Sequence, residues 1–140
     1  ATATATLTPT PTPVTGPVTT ILQNGFRDYQ GTADSYINRW WPNADENYGS
    51  DSFFSVRGPD NRGITMEGVL RFDLSALPNG ARVQAAFLKI YSGSRGKDFP
   101  TEFDVFQLKR SWNENEVTFH RADSQNNWET PGAMGANDRF

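Results

Sequence analysis

Apolar side chains recur along this chain mostly at every second position, in runs of five to eleven residues separated by glycine, proline, serine and asparagine. That period belongs to β-strands, and no window carries the three-to-four-residue stripe of an amphipathic helix. The pattern predicts strands over Asp34–Arg39, Phe53–Arg57, Gly68–Leu74, Arg82–Ser92 and Phe103–Lys109, with a shorter one over Val117–His120. The clearest is Arg82–Ser92. Val83, Ala85, Phe87, Lys89 and Tyr91 share one face, and Gln84, Ala86, Leu88 and Ile90 share the other. Apolar groups on both faces are what a central strand needs. Pro78-Asn79-Gly80-Ala81 and Ser92-Gly93-Ser94-Arg95-Gly96 read as turns.

The first twenty residues break the pattern. ATATATLTPTPTPVTGPVTT carries no charge, and the first charged residue is Arg27. Each proline fixes its own φ and pushes the preceding residue towards extended conformations, so a stiff stretch rising about 3.1 Å per residue is expected. Residues 1–24 therefore read as a Thr/Pro-rich stalk or donor-strand extension, and 25–140 as one domain. Thr/Pro alternation also suits O-glycosylation, which makes Thr4, Thr6, Thr8, Thr10, Thr12 and Thr15 candidate sites. No Asn-x-Ser/Thr sequon occurs. Val14, Val18, Ile21 and Leu22 are apolar positions that a donor strand would use.

Composition sharpens the fold class. Aromatics make up 13% of the chain, with ten Phe, four Trp and four Tyr, so the expected all-β sandwich is filled by rings. The net charge of −3 has no basic block, which argues against nucleic acid as a partner. Cysteine is absent, removing thiol catalysis and zinc-thiolate sites. No apolar run approaches the roughly 20 residues of a membrane helix, so no membrane insertion is expected. A start at Ala1 rather than Met is expected of a processed, extracellular or cell-surface protein.

A longer arrangement is similar to a known family. It begins with Asp34-Ser35-Tyr36-Ile37, Asn47-Tyr48-Gly49 and Phe54-x-Val56. Leu70-Arg71-Phe72-Asp73-Leu74-Ser75-Ala76-Leu77-Pro78 follows, then Gly80-Ala81-x-Val83 and Ala86-x-Leu88-x-Ile90-Tyr91. Trp112-x-Glu114-x-x-Val117-Thr118-Phe119 and Trp128-x-x-Pro131-Gly132-Ala133 complete it. In this order the segments resemble the DNRLRE-type surface domains of bacteria and archaea, which are related to carbohydrate-binding modules. The resemblance implies a jelly-roll-type β-sandwich in an extracellular setting, without catalytic machinery. Such domains usually continue past the Gly-Ala segment with at least two more strands. Stopping at Phe140 leaves three explanations open: further sequence, closure with fewer strands, or a strand supplied by another copy.

Candidate chemistry is sparse. Trp40-Trp41-Pro42 presents two adjacent rings, and aromatic faces stack on sugar rings, so Trp40 and Trp41 are the carbohydrate-binding candidates. Alternation in a strand would place one of them in the core. Trp112 and Trp128 read as core anchors. Glu114 and Glu116 form the nearest approach to a glycosidase-like carboxylate pair, but such acids are plentiful here. His120 is the sole histidine, so no His-based triad can be built. The chain is read as no enzyme. Arg71 needs acceptors, and Asp34 or Asp73 would form a structural ion pair with it. No cofactor is expected. Structural calcium is conceivable from Asp28, Asp34, Asp45, Asn47, Asp51 and Asp60, whose spacing fits no EF-hand. No phosphate-cradling loop occurs, since Gly93 and Gly96 precede no helix.

Two functions remain. The first is a subunit of a cell-surface fibre or array, polymerising head-to-tail with other copies of itself by strand complementation through the N-terminal extension. The alternative is a carbohydrate-binding module on a Thr/Pro linker, whose partner is a polysaccharide.

Overall fold

A computed structural model describes residues 16–93 and 102–140. Among these the protein is all-β, with no α-helix and one 3-10 turn, Asn43–Asp45. Two strands, β1 (Thr32–Asn38) and β2 (Met66–Phe72), pair antiparallel with Thr32 opposite Phe72 and Asn38 opposite Met66. The first and third predicted strands are therefore present, shifted by about two residues.

β1 is covered on both faces, and its alternation decides by what. Ala33, Ser35 and Ile37 look one way, together with Val69 and Arg71 across the ladder. On that side Ala33, Ile37 and Val69 join Trp112, Val117, Ala122, Trp128 and Ala133 in one buried cluster, with Leu108 packed against it. Tyr36 faces the other way and stacks on Tyr48, ring centroids 4.1 Å apart. The Phe54 ring lies over Gly68, where an added Cβ would come within 2.7 Å of it. The core thus joins one narrow sheet to a C-terminal segment held by tight turns.

That segment is bonded internally rather than through a ladder. Trp128 Nε1 donates to the Thr118 carbonyl at 2.9 Å. Asp138, wholly buried, accepts from Arg110 Nε (2.8 Å) and from the amides of Glu129 (3.0 Å), Thr130 (3.1 Å) and Gly135 (3.1 Å). Burial pushes the Asp138 carboxyl up, but these hydrogen bonds outweigh it and hold it below the usual carboxylate range.

The other predicted strands are not formed. Phe53–Arg57 contributes one bridge, Arg57 to Met66, and Phe103–Lys109 one bridge, Leu108 to Arg139. Val117–His120 is consumed by turns: the Thr118 amide donates to the Arg121 carbonyl and that of Phe119 to Ala44. Arg82–Ser92 has no secondary structure and lies exposed, because no described segment offers it a ladder. A second packed sheet, as a jelly roll would have, is absent among the described residues. The turn at Pro78–Ala81 is present, with Gly80 at φ +78°, whereas most of the one expected at Ser92–Gly96 lies outside them.

Candidate functional site

The exit of β1 sets up a loop with two adjacent exposed tryptophans. Asn38, buried at the strand end, accepts the Trp40 amide on its side-chain oxygen at 2.9 Å and so turns the chain outward. The Asn43 amide returns to the Trp40 carbonyl at 2.7 Å, closing the loop over Trp41-Pro42. Both rings reach solvent: Trp40 is 43% exposed and Trp41 76%. Neither belongs to the core, contrary to the alternation argument, because β1 ends at Asn38, before the tryptophans.

The loop is braced behind the rings. Asn43 Nδ2 and the Tyr48 hydroxyl both donate to Glu46 Oε2, at 2.7 and 3.1 Å. Burial, followed by the Asp51 charge, pushes the Tyr36 phenol beneath it up to about 12, so that ring stays neutral throughout the physiological range.

On its far side the 3-10 turn meets the C-terminal segment. Phe119 donates its amide to the Ala44 carbonyl at 3.1 Å, and Asp45 pairs with His120 Nδ1 at 2.8 Å. Asp45 also lines a shallow cleft of about 220 Å³ with Asn47, Glu116, Thr118 and Arg121. Here carboxylate, amide and guanidinium groups converge, and Asp45 follows Trp41 by four residues along the chain. Among the described residues the Arg121 guanidinium makes no hydrogen bond, whereas Glu116 is partly engaged by the Ser124 amide at 2.9 Å. A second cleft, about 440 Å³, opens at the other end of β1 around Arg27, Asp28, Tyr29 and Asp73. There the Asp73 carboxylate is already taken by Ser75, and the Tyr29 hydroxyl by the Asp73 carbonyl. The smaller cleft is the better candidate.

Other expected sites fare differently. Arg71 does not form the ion pair with Asp34 or Asp73. The register sets Arg71 opposite Ala33 and Asp34 opposite Leu70, so Asp34 leaves the sheet on the other face. Asp73 is bound to Ser75 at 2.8 and 2.9 Å. Arg71 Nη1 donates instead to the Trp112 carbonyl at 2.7 Å, with its guanidinium over the Trp112 ring. The Asp34 carboxyl is pushed up by burial first and by the Glu114 charge second, the reverse of what a cationic partner would do. Trp112 and Trp128 are core anchors, as expected. Among the described residues no three His, Cys, Asp or Glu side chains gather where a metal ion would sit.

Val18 and Ile21 are exposed and Leu22 half-buried, in a segment that forms no strand before Thr32. Val14 and the threonines 4, 6, 8, 10, 12 and 15 lie outside the described residues. Sequence reasoning missed Asp45, His120 and Arg121 as members of one site. Their separation along the chain hid it: the Phe119–Ala44 hydrogen bond and those of Asn47 Nδ2 to the Glu114 and Val117 carbonyls bring the two segments together.

No curated protein and no solved structure matches the chain. The family model for carbohydrate-binding module family 96 matches residues 26–134. The match spans both strands, the tryptophan loop and the C-terminal turns, more than half of the chain.

Proposed function

Because the chain belongs to carbohydrate-binding module family 96, we propose that it binds a polysaccharide through the Trp40–Trp41 loop and the adjoining cleft. Membership supports the carbohydrate-binding alternative over the fibre subunit, and nothing among the described residues favours strand complementation. Modules of this kind are non-catalytic, in keeping with the reading that the chain is no enzyme. A polysaccharide ligand goes with the extracellular or cell-surface setting expected from sequence.

The observation that carries the proposal is Trp41, an indole 76% exposed on a loop whose backbone is fixed by hydrogen bonds at both ends. A large apolar ring held in water without a packing role is available to stack on the C–H face of a sugar, and its exposure costs the protein nothing to rearrange on binding. The polar groups beside it supply direction. Carboxylates of Asp45 and Glu116 accept from sugar hydroxyls, and the Arg121 guanidinium donates to them, each such charge-assisted bond being stronger than a neutral one.

Affinity electrophoresis of the whole chain through gels containing a panel of neutral and acidic polysaccharides tests this. Retardation by at least one polysaccharide is expected, with Trp41→Ala losing it and Trp40→Ala weakening it. Failure to be retarded by any of them, or retention untouched by both substitutions, overturns the assignment.

A further inference from the structure

The sequence holds two asparagines followed by glycine, Asn24-Gly25 and Asn79-Gly80. Such a dipeptide carries chemistry of its own. Glycine has no Cβ to shield its amide nitrogen, so that nitrogen can reach the side-chain carbonyl carbon of the asparagine before it. Exposure does not separate the two pairs, since both asparagines face solvent and both glycines have open space around them. Hydrogen bonding does.

Asn24 is held at both reacting groups. Its Nδ2 donates to the Thr32 carbonyl at 3.1 Å and its Oδ1 accepts the Thr32 amide at 2.9 Å, at the first residue of β1. The Gly25 amide, the nitrogen that would attack, donates to the Tyr29 carbonyl at 2.9 Å. Reaction there requires all of these bonds to open together, and each opening costs free energy.

Asn79 is not held in this way. It sits in the turn closed by the Ala81 amide on the Pro78 carbonyl at 3.0 Å, with Gly80 at φ +78°. That closing bond uses neither reacting group. Within the described residues neither the Asn79 side chain nor the Gly80 amide makes a hydrogen bond. Nothing lies within 4 Å of the place a Cβ at Gly80 would take, so water has access to the pair.

We propose that Asn79 is a site of spontaneous deamidation through a succinimide formed with Gly80, and that the fold protects Asn24 from the same reaction. The Gly80 amide nitrogen gives its proton to solvent base and bonds to Asn79 Cγ. The Cγ–Nδ2 bond breaks, and the nitrogen leaves as ammonia after taking a proton from water. Water then opens the ring at one of its two carbonyls. Opening at Cγ leaves an aspartyl residue in an ordinary main chain. Opening at the main-chain carbonyl leaves an isoaspartyl link. Either product carries a new carboxylate and takes the net charge of −3 one unit further negative. The isoaspartyl product also routes the main chain through Cγ, which lengthens the turn between β2 and residues 82–93. This chemistry belongs to the turn and does not depend on polysaccharide binding.

The test incubates the whole chain at mildly alkaline pH in heavy-oxygen water, beside a second sample in guanidinium chloride. Both are then digested in ordinary water and mapped by mass spectrometry. In the native sample the peptide holding Asn79 is expected to take up one heavy oxygen. It is expected to convert at least about tenfold faster than the peptide holding Asn24, the ratio that about 1.4 kcal/mol of protection supplies. In guanidinium chloride the two sites are expected to convert at similar rates, because the bonds that hold Asn24 are gone. Asn79→Gln keeps an amide at an exposed position but closes a larger ring far more slowly, so its peptide is expected to stay unlabelled over the same period. An Asn79 that stays intact in the native chain overturns the proposal, as do equal native rates at the two sites. A rate difference that persists in denaturant removes the role of the fold, and labelling of the Asn79→Gln peptide removes the succinimide; each overturns it as well.

Discussion

Replacing Asp138 by alanine removes the acceptor at the centre of the C-terminal segment. Its carboxylate is inaccessible to water and takes four hydrogen bonds, three from the amides of Glu129, Thr130 and Gly135 and one from Arg110. Each hydrogen bond to a charged group contributes about 1.5–3 kcal/mol, but the four share one acceptor and are not additive. Removing one partner of a buried charge pair costs about 3–5 kcal/mol, because the cation and the amides are left without a partner. Arg110 is partly exposed and recovers some hydration, which places the expected loss near 3 kcal/mol. Against a total stability of about 5–15 kcal/mol this is a large fraction. Asp138→Asn keeps the shape, loses the charge and turns one acceptor into a donor, for an expected loss of about 1.5–3 kcal/mol.

Urea unfolding followed by tryptophan fluorescence reads both, since Trp112 and Trp128 sit in the adjoining core. The same carboxylate predicts the acid limb. Its folded pKa lies below the ordinary value, so its stabilisation is complete above the unfolded pKa of about 3.9 and is lost as pH falls through the lower folded value. The wild type is expected to lose stability below about pH 4 more steeply than Asp138→Asn. A loss under ~1 kcal/mol in Asp138→Ala, with an unchanged acid limb, would refute the argument that this one carboxylate organises the segment.

Other expected outcomes follow from single contacts. Val117→Ala, at a fully buried core position, should cost about 2–3 kcal/mol in the same urea titration, the transfer of two methyl groups plus the cavity left behind. Gly49→Ala should lower the thermal midpoint markedly, since an added Cβ would run into the Glu114 carbonyl, a backbone group that cannot swing aside. Ser35→Ala should raise stability by about 1 kcal/mol, because the Ser35 hydroxyl is buried with no partner among the described residues. Trp41→Ala should leave the thermal midpoint within a degree of wild type while abolishing polysaccharide retention, which separates a binding ring from a packing one.

Much of this protein was settled by local chemistry. The two-residue period around Asp34–Arg39 and Gly68–Leu74 located β1 and β2 to within about two residues, because strand propensity and alternation coincide there. Trp112 and Trp128 read as core anchors, and both lie in the buried cluster. The outward Trp40–Trp41 loop was legible as a feature, though not its full exposure, which follows from β1 ending at Asn38.

Tertiary structure decided the rest. Whether an alternating run becomes a strand depends on a partner ladder, which Arg82–Ser92 lacks among the described residues despite having the clearest pattern. Register alone decided that Arg71 meets the Trp112 carbonyl rather than Asp34. The cleft joining Asp45 to Glu116 and Arg121 exists because the loop after β1 is hydrogen-bonded to the C-terminal segment through the Ala44 carbonyl and the Asn47 side chain. Periodicity is a property of neighbours along the chain, whereas ion pairs, clefts and ladders are properties of groups brought together across it.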